Sequence, residues 1–131
     1  MSLMKRHNKS EQGQTMTELA MILPLLLILI FGIIQLGIAF NNYLAVTDAV
    51  RAGARKGSVS RLSGNPTGDC VTAARNAGAD LQQAKFNVTC VSTWQPGADI
   101  TVTGSYPYSI NVLGVVVKKG NLTSTIKERV E

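Results

Sequence analysis

Residues Leu19 to Phe40 read LAMILPLLLILIFGIIQLGIAF, 22 residues without a charge. As a helix rising about 1.5 Å per residue, the run is about 33 Å long. The hydrocarbon core of a bilayer is about 30 Å thick. A soluble core helix rarely needs an apolar surface on every side, and this one has it. We read the run as a transmembrane helix. Pro24 inside it lacks a backbone donor and is expected to kink or loosen the helix, which membrane helices tolerate.

Upstream lies MSLMKRHNKSEQG, residues 1–13, polar and without periodicity, and read as a flexible leader. It carries Lys5, Arg6 and Lys9 against Glu11, a charge of +2 out of the chain's +5. Positive residues before a first span tend to stay in the cytoplasm, so the C-terminal part is expected to face outward. Thr15 with Glu18 fits a capping box, which places the helix start near Thr15.

Downstream of the span, Asn41, Asn42 and Tyr43 mark the exit, with Phe40 and Tyr43 at interface depth. The next residues, to Lys56, favour helix and contain no proline. Ala45, Ala49, Gly53 and Gly57 recur every four residues, a stripe of small side chains on which another element can pack closely. The division of the chain is therefore a leader over 1–13, a long helix over 14–57 with its apolar segment at 19–40, and an outer domain over 58–131.

The outer domain changes character along its length. SVSRLSGNPTGD is a loop. Cys70 to Ala84 fits a second helix, with Cys70, Ala74, Ala77, Leu81 and Ala84 on one face and Thr67 or Asp69 as its cap. From Lys85 the period falls to two, predicting strands at 86–91, 100–105 and 122–130, with QPGAD as the first turn. Residues 109–119 read equally well as a strand or as an apolar connection. The fold class is α+β: a long transmembrane helix, a second helix and a small antiparallel sheet.

Cys70 and Cys90 are the only cysteines. On an oxidising side of the membrane they are expected to form a disulfide. They do not make a zinc site, because no histidine stands near to complete the ligand set. The single histidine, His7, lies in the leader, so no Ser–His or Cys–His pair can form in the outer domain. No phosphate-binding glycine loop is present. The mild, scattered positive charge does not argue for nucleic acid. No catalytic site, metal or cofactor is expected.

One place concentrates the remaining signal. A basic leader ends in Gly13, Glu18 stands five residues on, and the apolar helix begins directly behind it. Together these resemble the processing site of type IV prepilins, whose peptidase cuts after the glycine; here that would leave Gln14 as the N-terminus. GQTMTELAMILPLLLILIFGIIQLG with DAVRAGARKGSV resembles the TadE-like proteins, pseudopilins of the tight adherence (Flp-type) pilus system. The ending LTSTIKERVE is similar to that family's closing strand. Gln35 departs from the pattern, standing where an acidic residue is common.

The resemblance implies a pilin-like shape, cleavage by a prepilin peptidase and retention in the bacterial inner membrane. It also implies contact with other pilins and pilus assembly proteins. Glu18, costly near an apolar region unless partnered, would pair with the ammonium group of a processed Gln14. Two alternatives compete. An uncleaved single-pass anchor bearing a binding or structural domain explains the span but not the pairing of Gly13 with Glu18. A signal peptide cut before Phe40 needs an apolar core of about 7–15 residues, shorter than this one.

Overall fold

The computed structural model describes residues 7–131, with side chains from Gly13 onward. The charged leader residues Lys5 and Arg6 lie outside the described residues, as do the side chains of His7, Lys9 and Glu11. Helix α1 runs His7–Val59, 53 residues with Pro24 inside it. Helix α2 spans Pro66–Ala77. Strands β1 (Asn87–Val91), β2 (Asp99–Val112) and β3 (Val115–Arg129) form an antiparallel sheet in the order β1-β2-β3. The α+β class holds.

The helix begins earlier than the capping box implied. Thr15 and Glu18 sit inside α1, not at its start. Residues 7–14 contain no proline, and a single interior glycine costs only about 1 kcal/mol relative to alanine. Extending an existing helix is also far easier than starting one.

From Leu19 to Phe40 every residue is exposed except Gly32, Gln35 and Ala39, which are half-buried. The side chains Leu19 to Phe40 thus present apolar surface all round. Burial starts at Val46. Val46, Ala49, Val50 and Ala54 are fully buried, against Cys70, Leu81, Phe86, Cys90, Ile100, Val102, Tyr106 and Val130. The C-terminal half of α1 is therefore the spine of the domain's core.

The small-residue stripe is where the other elements approach. A β-carbon on Gly53 would stand 2.9 Å from that of Ala74 and 3.1 Å from the carbonyl oxygen of Cys70. One on Gly57 would collide with the Ile100 side chain. Helix α2 and strand β2 both lie against this face.

Helix α2 departs from expectation at both ends. Its cap is Asn65, not Thr67 or Asp69. The Asn65 side-chain oxygen accepts from the Gly68 amide at 3.0 Å, and Pro66 takes the first turn. Proline suits that position because its missing donor would be unsatisfied there anyway. Asp69 instead accepts from the Ser63 hydroxyl at 2.6 Å. The helix stops at Ala77 because Gly78 caps it, its amide donating to Ala74. Ala77 and Ala84 are consequently exposed, while Leu81 reaches the core from a turn.

The sheet alternates as period two requires. Ile100, Val102, Gly104 and Tyr106 face the helices, and Thr103 meets Thr125 across the outer face at 3.1 Å. Residues 109–119 belong to both arms of one long hairpin. The register runs Asp99↔Arg129 to Val112↔Val115, with a bulge at Ile110/Asn111. Leu113 and Gly114 make the two-residue turn with φ of 50° and 85°, the double positive φ that matches the twist of a hairpin. At the other end of the sheet the Glu131 amide donates to Ser58 and the Arg61 guanidinium to the Glu131 carbonyl. The last strand is thereby fastened to the end of α1.

Candidate processing and assembly site

Gly13, Gln14 and Glu18 lie on one continuous helix, so their relative positions follow from helical geometry. Gln14 and Glu18 are four residues apart and share a face. The Gln14 side-chain amide donates to a Glu18 carboxylate oxygen at 3.2 Å. The Thr17 hydroxyl donates to the Gly13 carbonyl at 2.9 Å. All four residues are exposed, and a β-carbon built on Gly13 would meet nothing within 4 Å. The glycine is therefore not required by packing within this chain.

The carboxylate of Glu18 is the one formal charge between Gly13 and Phe40. It sits one residue before the apolar run, and its described hydrogen-bond donor is a neutral amide. That arrangement leaves the negative charge without an opposite charge in the described part of this chain. Sequence reasoning paired Glu18 with Thr15 as a cap. The spacing of four to Gln14, legible from the sequence, is the contact formed.

Cys70 of α2 and Cys90 of β1 are joined as a disulfide, their Cα atoms 6.5 Å apart. The bond ties the second helix to the first strand inside the core. Gln35 is half-buried where the tyrosine-bearing part of β2 comes alongside α1. Among the described residues no group of three or more potential metal ligands occurs.

The model of the family described as TadE-like protein matches residues 13–55. No curated protein and no solved structure matches the chain. The family match opens on Gly13, takes in Glu18 and the whole apolar run, and ends within the small-residue stripe. It agrees with the resemblance drawn from the residues themselves and associates the chain, in general terms, with a tight adherence pilus system. Among the described residues one helix is long and apolar enough to cross a membrane, in keeping with a single-pass protein of such a system. From Gly13 to Arg55, over most of the helix that carries the apolar run and the core-forming stripe, this chain is similar to the TadE-like proteins.

Proposed function

We propose that this chain is a minor pilin or pseudopilin, cut after Gly13 by a prepilin peptidase and taking part in assembly of a tight adherence pilus without catalysis of its own. The observation that carries the reading is the register at the head of α1. An exposed glycine with no packing role stands five residues before a lone carboxylate, and a 22-residue uncharged run follows. The leader stays in the cytoplasm, α1 crosses the inner membrane, and the α+β domain stands outside.

In this reading the ammonium group created on Gln14 supplies the opposite charge that Glu18 lacks among the described residues. The partner is the same chain or a neighbouring pilin, held side by side through the apolar helices. Its partners are the peptidase, other pilins and the assembly proteins of the inner membrane.

The mass of the protein from its native host tests the proposal. A chain beginning at Gln14 supports it. A chain that retains residues 1–13 supports the alternative, an uncleaved single-pass anchor carrying a binding or structural domain. A chain beginning at Phe40 means an ordinary signal peptide.

A further inference from the structure

The tip of the β2–β3 hairpin carries an apolar surface that the domain does not use. Leu113, Val115, Val116 and Val117 are 66, 66, 56 and 66 % exposed. No charge occurs from Ile110 to Val117, and Lys118 and Lys119 follow at once. Val115, Val116 and Val117 are consecutive in a strand, so they point to alternate faces. The tip is thus apolar on both sides, which suits a surrounding apolar medium better than a one-sided protein surface.

The position of the tip follows from the packing of β2 on α1. Ile100 meets Gly57, Val102 lies near Gly53, and Gly104 lies between Val50 and Val46. Each two residues of strand descend one turn of helix, about 6 Å on either element. Tyr106, Tyr108 and Lys119 then line a cleft with Gln35, Ile38 and Asn42. By the same step, Ile110 comes level with the region of Ile38 and Val112 with that of Gln35. The hairpin points down α1 and ends beside the uncharged run, not above it.

We infer that this tip dips into the outer leaflet of the membrane that α1 spans, with Lys118 and Lys119 on anionic lipid headgroups. The inference rests on α1 crossing the bilayer. Tyr108, whose ring covers Gly120 on the next strand, sits at the interface, where tyrosine is favoured. Insertion is shallow for a physical reason. Strand β1 pairs with β2 only as far as Ser105, so past that residue the hairpin has two open edges. Unpaired backbone groups are not tolerated deep in hydrocarbon. The lysines can reach back to the headgroups along their aliphatic stems.

Full-length protein in vesicles of phosphatidylcholine and phosphatidylglycerol, brominated at shallow or deep acyl positions, tests this. Trp94 is the only tryptophan, so Trp94→Phe provides a dark background. On it, Leu113→Trp and, separately, Val116→Trp should lose most of their emission to shallow bromines and little to deep ones. Ile28→Trp should be quenched most by deep bromines, and Val91→Trp, far up the sheet, by none. Reversing the lysines with Lys118→Glu and Lys119→Glu should reduce quenching at 113 and leave it unchanged at 28. Unquenched emission at 113 and 116, with 28 quenched, overturns the inference. So does blue-shifted but unquenched emission, which means the tip is covered by protein. Quenching at 113 that is unaffected by the lysine reversal overturns the headgroup contact. Loss of quenching at 28 overturns the spanning of α1, and the hairpin insertion falls with it.

Discussion

Gly104 of β2 lies directly over Val50 of α1: a β-carbon on the glycine would stand 2.6 Å from a Val50 methyl and 3.2 Å from one of Val46. The sheet can approach the helix this closely because the strand has no side chain there. Gly104→Val should push β2 off the helix and cost about 1–3 kcal/mol, the usual range for overfilling a packed core. Thermal unfolding followed by circular dichroism in detergent should show a lower Tm. An unchanged Tm would mean that the sheet is not seated on Val50.

The Cys70–Cys90 bond closes a loop over a sequence separation of 20. In the chain-entropy model a loop of that size contributes about 3 kcal/mol. Cys90→Ser should lower the stability of the outer domain by about that amount and leave membrane insertion intact. Non-reducing peptide mapping of the wild type should recover the two cysteines in one linked fragment. Two freely alkylated thiols would contradict the bond.

Asn65 carries the start of α2 through one hydrogen bond to the Gly68 amide. Asn65→Ala should destabilise the domain by about 1 kcal/mol, and Asn65→Asp should be nearly neutral. Chemical denaturation of the three proteins separates the cap from a packing effect, since the Asn65 side chain is exposed.

Gly13 has open space around its α-carbon, so Gly13→Leu should fold and insert as the wild type does. A peptidase pocket shaped for a residue without a β-carbon should nevertheless reject it. The expected outcome is accumulation of the full-length chain in the membrane, read by mass. Normal removal of the leader from Gly13→Leu would take the glycine out of the processing signal.

Glu18→Gln keeps a side chain that Gln14 can hydrogen-bond and removes only the charge. The helix should be unaffected, and so should removal of the leader. Crosslinking to other pilus components and the number of surface fibres should both fall sharply. A Glu18→Gln protein that assembles normally would reduce Glu18 to a partner of the Gln14 amide.

Much of this architecture was legible before any coordinates. A 22-residue uncharged run has few physical solutions, and strict period two in Thr-rich segments announces a half-exposed sheet. What was misread involved competition between signals. Asn65-Pro66 is a sound helix start, but Thr67 and Asp69 offered rival caps of the same chemistry. The Thr15–Glu18 pair satisfied a start motif inside a helix that had already begun. Residues 109–119 were undecidable because apolar residues on both faces destroy the alternation by which a strand is recognised. For Gly13 and Glu18 the sequence order held all the information, since a helix fixes their spacing.

Helix α1 has no proline after Pro24 and passes from the apolar run into the domain core without a hinge. From Phe40 to Val59 it forms a rigid arm of about 28 Å. Membrane helices tilt by about 20° on average, and that angle swings the far end of such an arm sideways by about 10 Å. In the proposed single-pass arrangement, the attitude of the C-terminal domain is thus set by how α1 leans in the bilayer. Anything that changes the lean, such as membrane thickness or a neighbouring helix, is felt at Val59 as a displacement the size of a small side chain or more.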